Sequence, residues 1–327
     1  MIGLGIDTSC DETSVAVVED GCKILSNQVY SQIEKHRPFR GVVPEIAGRA
    51  HLDRIQFEFE AAIKEANIKC NEIDYIAVTN RPGLIGSLMI GGMFAKAFNI
   101  VWNKPIITVD HLMAHLYSIK LENKKMEYPF LGLLLSGGNS CVYLVSSNKK
   151  MELIADTSDD ALGEAFDKVA AILNLPYPGG PYVEKLALQH SASGASLFPN
   201  LLHGMNESNI RFSYSGLKTA VIRAREQNEN EARIAYDFQK SAFELVFRVI
   251  HLAIKKTKIR KVICGGGVLA SKTLQDLLKK DAVDRGYSIV MPDSKILCTD
   301  NAAMVAAAGY DFFLDGNRES LDFSVYP

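Results

Sequence analysis

The feature that most constrains the fold of this chain is a strand–turn–strand–turn–strand pattern that occurs twice. The first copy is Ile2–Tyr30, and its first turn is the polar segment Thr8–Thr13. The second copy is Phe130–Thr157, and its first turn is Ser136–Ser140. Short apolar runs separated by turn residues are typical of antiparallel meanders. The repetition predicts two copies of one kind of domain rather than one large core.

Helical and strand patterns alternate after each meander, which is typical of α/β domains with mixed sheets. A chain of 327 residues is long enough to bury two cores of ordinary size. We therefore expect two duplicated α/β domains, residues 1–128 and 129–303, with the C-terminal helix, about 304–327, completing the first. We also expect them to face each other across a cleft, the usual place for a ligand.

The charge balance limits the way in which this chain can bind a nucleic acid. Thirty-six Lys and Arg residues stand against 38 Asp and Glu, a formal net charge of -2, so a polyanion must be bound by a local patch. One basic cluster, at Lys255, Lys256, Lys258, Arg260 and Lys261, is interpreted as a solvated helix end. A second cluster is the better RNA candidate because it rims the presumed cleft: Arg37, Arg40, Arg49 and Arg54.

The remaining composition favours a cytoplasmic protein. The N-terminus lacks the basic and apolar regions of a signal peptide, and the six cysteines form no C-x-x-C pair, so we expect reduced thiols and no zinc ribbon. The apolar helix pattern at Leu84–Asn103 contains several glycines. Because it is apolar on nearly all sides, we interpret it as a buried helix in close backbone contact with a neighbour, and expect no membrane span.

Two histidines, His111 and His115, are the clearest candidates for metal ligands. Their i, i+4 spacing places both imidazoles on one helix face. A zinc-protease motif would need Glu at position 112, where Leu112 stands. Asp300 is the candidate third ligand, and its alternative role is to cap the last helix.

Several turns have the composition of a nucleotide site. Hydroxyl and glycine residues in the two first turns of the meanders can present backbone N–H groups to a phosphate, whereas the plain alternative is a hairpin turn. A third glycine loop, Gly265–Gly267, stands between a strand and a helix, where anions often bind. Asp167 and Glu184 flank a glycine turn and suit the hydroxyls of a ribose, or they are surface helix charges.

The whole chain resembles one family, the tRNA N6-adenosine threonylcarbamoyltransferases of the TsaD type, within the actin, sugar-kinase and heat-shock-chaperone ATPase superfamily. The resemblance rests on segments that occur in order along nearly all of the sequence: Asp7–Thr13, Val43–His51, Arg81–Leu84, His111–His115, Ser136–Asn139, Gly163–Lys168, Tyr177–Pro181, Phe212–Lys218, Gly265–Val268 and Cys298–Ala303. Leu134 stands where archaeal and eukaryotic relatives carry a tyrosine metal ligand, which indicates the bacterial type.

The resemblance implies an actin-like fold for both domains and assigns the candidate residues. It implies that His111, His115 and Asp300 bind one divalent metal ion, iron with zinc as the alternative. It implies that the adenylate is held by Leu134, Leu135, Ser136, Gly137, Gly138, Asp167, Gly180 and Glu184. Gly266, Gly267 and Ser271 complete the predicted nucleotide site, which could also take ATP or ADP.

The resemblance also implies a reaction and partners. The chain is expected to transfer a threonylcarbamoyl group from threonylcarbamoyl-AMP to N6 of adenosine 37 in tRNAs that read ANN codons. An adenine amine is a poor nucleophile, so a general base is needed, and Asp11 or Glu12 is the candidate. The expected partners are tRNA, a dimerising TsaB-like paralogue and a TsaE-like ATPase. The alternatives are an ATP-binding kinase or ATPase of the same superfamily and a non-catalytic scaffold subunit.

Overall fold

The computed structural model describes residues 1–148, 150–190, 196–198 and 205–327. Its strands are β1 (Ile2–Asp7), β2 (Glu12–Glu19), β3 (Lys23–Ser31), β4 (Tyr75–Arg81), β5 (Ile106–Asp110), β6 (Phe130–Leu135), β7 (Ser140–Ser147), β8 (Lys150–Thr157), β9 (Arg211–Phe212), β10 (Lys261–Gly265) and β11 (Ser288–Val290). Its α-helices are α1 (Ile33–His36), α2 (Pro44–Ala66), α3 (Ile85–Trp102), α4 (His111–Tyr117), α5 (Leu162–Ile172), α6 (Gly180–Ala187), α7 (Ser215–Glu226), α8 (Glu231–Thr257), α9 (Lys272–Arg285), α10 (Lys295–Cys298) and α11 (Ala302–Leu314).

The chain divides into two compact units. Unit 1 contains residues 1–126 and 292–327, and unit 2 contains residues 127–291. The domain boundaries expected from the sequence, at 128 and 303, stay a prediction.

Unit 1 is built on a five-stranded mixed sheet in the order β3-β2-β1-β4-β5. The meander β1–β3 is antiparallel, whereas β4 and β5 run parallel to β1. Leu4 and Ile6 of β1 pack on one face of the sheet with residues of α2 and α3. Gly5 points to the other face, where an added Cβ would lie only 2.1 Å from the carbonyl oxygen of Ala302, so glycine is required for α11 to approach β1.

Unit 2 repeats this sheet with one extra strand. Its order is β11-β10-β6-β7-β8-β9, in which β6–β8 form the antiparallel meander and β10 and β11 run parallel to β6. The strand β9 adds to the far edge beside β8. The prediction of two duplicated α/β domains with mixed sheets is therefore confirmed.

Helix α3 differs from the sequence-based interpretation. The close backbone contact is present, since Gly91 N–H donates to Oγ1 of Thr8 at 3.2 Å. The burial of the helix is only partial: one third of the helix is buried, and an apolar stripe at Ile85, Met89 and Met93 is exposed. By length and composition alone, α3 is also the one helix among the described residues that could span a membrane. Apolar composition shows that a face can be buried but not what buries it.

Candidate metal and nucleotide sites

The two candidate histidines lie on a short helix that follows directly on a strand of unit 1. Asp110 ends β5 and caps α4, because its carboxylate accepts hydrogen bonds from the N–H groups of Leu112 and Met113 at 2.9 and 3.1 Å. His111 and His115 both lie on α4, and their rings are 4.7 Å apart at the centroids. The cap fixes where the helix begins and hence which face carries both imidazoles.

Asp300 comes from a distant part of the chain, just before α11. The cap of α11 is its neighbour Asn301, whose side-chain oxygen accepts from the N–H of Met304 at 3.1 Å. Asp300 therefore does not serve as the helix cap. The close approach of α11 to β1 at Gly5 brings Asp300 to the end of the sheet where α4 begins.

The three side chains converge in a way that fits a metal ion. Asp300 Oδ1 lies 3.6 Å from His111 Nε2 and 3.1 Å from His115 Nε2, and one ligand atom from each of the three residues lies within 4.8 Å of the others. The side chain of His115 is 1% exposed, and its Nδ1 has no hydrogen-bond partner among the described residues, while its Nε2 faces the carboxylate of Asp300. Buried polar atoms are nearly always paired, so three convergent ligand groups with few other partners are what a divalent cation requires. The residues thus form a candidate His-His-Asp metal site.

Two further residues orient His111. Asp7 Oδ2 and Ser9 Oγ lie 3.3 and 3.2 Å from His111 Nδ1, which leaves Nε2 to face Asp300. A carboxylate behind a ligating histidine fixes the ring and its tautomer in many metal sites. Asp7 was not among the predicted site residues. One signal for it was available in the sequence, because Asp7 is the single acid, at the last position, of the otherwise apolar strand Ile2–Asp7.

The charges of this cluster are strongly coupled. Burial disfavours the charged form of His111, but the carboxylates of Asp300 and Asp7 outweigh it and raise the pKa of His111 to about 9. Burial acts against ionisation of Asp300 as well, yet His111 and His115 lower the pKa of Asp300 to about 2. In the metal-free protein the site therefore holds an ion pair, whereas metal ligands bind in the deprotonated form.

The candidate bases Asp11 and Glu12 lie at the end of the first turn of unit 1. Glu12 begins β2 and is half-buried, and Ser31 donates to its Oε1 at 3.4 Å. Burial and the carboxylates of Asp300 and Asp11 raise the pKa of Glu12 well above its ordinary value. The effect of Asp300 places Glu12 in the electrostatic environment of the metal ligands.

In unit 2 the equivalent turn, Ser136–Asn139, presents backbone rather than carboxylates. The carbonyls of Ser136 and Gly137 accept from the first N–H groups of α5, those of Gly163 and Glu164, at 3.2 and 3.1 Å. The C=O and N–H groups of a trans peptide point in opposite directions, so the N–H groups of Gly137 and Gly138 both point away from α5. Successive N–H groups on one side of a turn form an anion cradle.

The surroundings of this turn have room for a ligand. A Cβ added at Gly137, Gly138 or Gly180 would meet no atom within 4 Å. Gly266, by contrast, adopts a φ of +103°, and a Cβ there would lie 2.4 Å from the carbonyl oxygen of Leu135. The glycine loop that contains Gly266 and Gly267 therefore packs directly on the end of β6.

The other predicted nucleotide residues have structural partners. The side chains of Leu134 and Leu135 are buried in the sheet, so only their backbone could meet a ligand. Asp167 lies on α5, and its Oδ1 accepts from Gly179 N–H at 2.6 Å. Ser271 caps α9 and donates to Oε1 of Glu184 at 3.0 Å. The nucleotide candidates thus share unit 2, and the metal and base candidates share unit 1.

Comparison with known proteins identifies the family. Residues 23–307 match the family model described as TsaD: tRNA N6-adenosine threonylcarbamoyltransferase. Proteins named tRNA N6-adenosine threonylcarbamoyltransferase are 47% identical in Leptospira interrogans, over 100% of this chain and 98% of that protein, and 46% identical in Borrelia hermsii, over 96% and 92%.

Solved structures with low sequence identity share the fold. They include HypF of T. kodakarensis, with a TM-score of 0.63 at 15% identity, covering 96% of this chain and 48% of that one. They also include component A of the (R)-2-hydroxyglutaryl-CoA dehydratase of Acidaminococcus fermentans, with a TM-score of 0.58 at 14% identity, covering 95% and 98%. These structures show the fold alone, whereas the family model and the relatives also indicate the function. The chain belongs to the tRNA N6-adenosine threonylcarbamoyltransferases, a family of tRNA-modifying transferases.

Proposed function

We propose that this chain is the metal-dependent subunit that transfers a threonylcarbamoyl group from threonylcarbamoyl-AMP to N6 of adenosine 37 in tRNAs reading ANN codons. The observation that carries the proposal is the convergence of one ligand atom each from His111, His115 and Asp300 in a buried cluster. A scaffold subunit has no need of such a site, and a kinase that uses metal–nucleotide complexes has no need of two histidine ligands.

Unit 2 supplies the nucleotide contacts in this proposal. The N–H groups of Gly137 and Gly138 bond the phosphate of the adenylate, and Gly180 leaves room beside it. One ribose hydroxyl is assigned to Oε2 of Glu184, since its Oε1 already accepts from Ser271 and Thr273. Asp167 supports the site by holding the turn at Gly179.

Unit 1 supplies the metal ligands and the proton acceptor. His111, His115 and Asp300 would hold a divalent ion, iron or alternatively zinc, which would supply a Lewis acid for the donor. Asp7 and Ser9 hold His111 with its Nε2 toward the ligand set. Asp11 or Glu12 accepts the proton that N6 of adenosine loses.

The proposed transfer balances as an acyl substitution. The bond between N6 and the carbamoyl carbon forms, and the bond between that carbon and the phosphate oxygen breaks. AMP leaves with its negative charge, which the N–H groups of Gly137 and Gly138 stabilise. The N6 proton passes to the carboxylate, so no further reactant is needed.

The partners are part of the same proposal. Arg40 and Arg49 are exposed cations of unit 1 that could hold tRNA, whereas Arg37 and Arg54 pair with Glu34 and Glu58. The exposed stripe of α3, at Ile85, Met89 and Met93, is assigned to the TsaB-like paralogue, because an apolar helix face of this length suits a partner helix. A TsaE-like ATPase completes the set in the cytoplasm.

The test is nucleoside mass spectrometry of tRNA from a strain depleted of this protein. Complementation with the natural chain is expected to restore threonylcarbamoyladenosine, whereas His111→Ala is expected to restore none and to purify with less bound metal. His190→Ala is the matched control, because His190 contacts the ring of Tyr236 in unit 2 and is not one of the candidate site residues. Full modification and full metal content with His111→Ala would overturn the proposal. Steady ATP hydrolysis by the chain alone, without transfer to tRNA, would favour a kinase or ATPase.

A further inference from the structure

A basic cavity of about 630 Å³ lies in unit 2, and none of the candidate site residues lines it. Five of the side chains that line it are cationic: Arg248, Lys255, Lys258, Arg260 and Arg285. The sequence placed three of them in a run interpreted as a solvated helix end. Folding brings Arg248, from the middle of α8, and Arg285, from the end of α9, to the same cavity.

The cavity carries an excess of positive charge. Lys255 pairs with Glu207 at 2.6 Å, and Arg260 donates to the carbonyl oxygens of Arg285 and Gly286 at 3.0 Å. Within the described residues, Arg248, Lys258 and the guanidinium of Arg285 form no ion pair, although Lys258 lies close enough to Glu207 to help Lys255 lower the pKa of that carboxyl. Three unpaired cations in one cavity repel each other, and they do so in a chain whose net charge is -2.

Helix dipoles account for only part of this cluster. Cations in the last turn of a helix are stabilised by its C-terminal carbonyls. This effect explains the positive charges of Lys255 on α8 and Arg285 on α9. Arg248 lies more than two turns before the end of α8, where the effect has faded. Lys258, the C-cap of α8, is favoured by the same carbonyls, although its φ of 63° is a left-handed conformation that glycine usually takes. The backbone therefore leaves the charge of Arg248 unexplained.

The acidic residue behind the cavity wall, Asp281, already has two partners. His251 Nε2 and the hydroxyl of Tyr287 both contact Oδ2 of Asp281, at 2.7 and 2.8 Å. His251 and Tyr287 line the cavity, whereas Asp281 bonds to both behind them. The carboxylate thus fixes two side chains of the wall, and the unpaired cations remain as the polar groups available to a ligand.

The position of the cavity argues against the adenylate as its ligand. Arg260 and Tyr287 precede the parallel strands β10 and β11, whereas the glycine turns follow the ends of β6 and β10. The cavity therefore lies at the N-terminal ends of these strands, whereas the predicted nucleotide site lies at their C-terminal ends. The length of β10, about 16 Å, separates the two. An anion that reaches it is either a separate molecule or a different part of a large polyanion.

We propose that this cavity binds backbone phosphates of the tRNA, at nucleotides other than the modified adenosine. Arg248, Lys258 and Arg285 make the contacts, and the shape of the RNA rather than its sequence is recognised. The inference rests on the proposed function, since it takes tRNA as the substrate. The cavity would add to tRNA affinity without taking part in the transfer.

The test compares the natural chain with a triple variant, Arg248→Gln, Lys258→Gln and Arg285→Gln. Binding of unmodified tRNA is measured at several salt concentrations, and KM and kcat for tRNA are measured with the complete set of partner proteins. Loss of three phosphate contacts is expected to raise the Kd by about tenfold or more and to reduce the slope of log K against log salt by about 2 to 3. The kcat at saturating tRNA is expected to stay unchanged.

The matched control removes the same charge elsewhere, at exposed lysines outside the cavity: Lys64→Gln, Lys240→Gln and Lys295→Gln. Unchanged tRNA affinity and salt slope in the first triple variant, or an equal loss in the control, would overturn the inference. Binding of pyrophosphate that the first variant abolishes, with tRNA affinity intact, would also overturn it and assign the cavity to a small anion. Failure of the natural chain to modify tRNA at all would instead count against the proposed function.

Discussion

Units 1 and 2 use the same strand plan for different chemistry. In each, an antiparallel meander is extended by two strands parallel to its first strand, so β1 corresponds to β6 and β4 to β10. The turn after β1 carries carboxylates and hydroxyls, including Asp11 and Glu12, and lies near two histidines. The turn after β6 carries Gly137 and Gly138, and its N–H groups point outward. One scaffold thus presents side chains to a cation and backbone to an anion.

The two units differ in the elements that lie beside the turns after β1 and β6. In unit 1 the helix α4, which supplies His111, follows β5, the strand beyond β4 in the sheet, and α11 brings Asp300. In unit 2 the neighbouring strand continues into the glycine loop at Gly266, which packs on the backbone of Leu135. Side chains that converge need a helix to carry them, whereas a backbone cradle needs glycines that leave space.

The largest effect is expected from removing a side chain on the metal side of this comparison. His115→Ala deletes one of three ligand donors, so the metal content is expected to fall and transfer to tRNA to drop by about 1000-fold or more. Metal analysis and single-turnover transfer measure the two effects. Retention of both metal and activity would show that His115 is not a metal ligand.

The second prediction adds a side chain on the backbone side. Gly138→Val has space for its Cβ and no positive φ, so the fold is expected to persist while the valine covers the cradle. Losing two N–H bonds to a phosphate is expected to raise the Kd for AMP by about a hundredfold. Calorimetric titration measures this change. Gly41→Val is the control, because a Cβ at Gly41 of unit 1 also meets no atom within 4 Å.

The third prediction concerns the residue that orients His111. Asp7→Asn keeps the size of the side chain but removes its charge, so the metal affinity is expected to fall by about ten- to a hundredfold. Competition with a chelator measures the affinity. An unchanged affinity would show that Ser9 alone orients His111, and AMP binding in unit 2 is expected to stay unaffected.

The smallest effect concerns a buried polar support of the first turn. His51 contacts the hydroxyl of Thr13 and the carbonyl of Cys10 at 2.8 and 3.0 Å, and burial lowers the pKa of His51 below its ordinary 6.5. Below pH 6.5 the unfolded chain binds a proton at His51 that the folded chain does not. The free energy of unfolding therefore decreases as the pH is lowered, by at most about 1.4 kcal/mol per pH unit.

Denaturant unfolding between pH 7 and pH 5 checks this slope. His51→Gln is expected to flatten it, whereas the control His190→Gln is expected to leave it unchanged. The turn of unit 2 contains no equivalent histidine in the part that the structure describes, so the effect also separates the two turns. Parallel slopes in the natural chain and His51→Gln would contradict the prediction.

Local patterns determined much of this protein. Apolar runs and turn residues predicted both meanders, and the i, i+4 spacing of His111 and His115 predicted a shared helix face, because these features depend on neighbours within about one turn or strand. The roles of Asp11, Glu12 and the nucleotide residues stay predictions. The family resemblance, carried by motifs along the chain, agreed with the comparisons.

Only the tertiary structure decided which distant residues meet. Asp7 lies against His111, Ser271 donates a hydrogen bond to Glu184, and Arg248 and Arg285 line the same cavity. These residues are too far apart along the sequence for any periodic pattern to pair them. Apolar composition likewise predicted a buried helix α3, whereas packing left the stripe at Ile85, Met89 and Met93 exposed. The physical reason is that the sequence sets what each segment can bury or donate, while the packing of β1 against α11 and of α8 against α9 selects its partner.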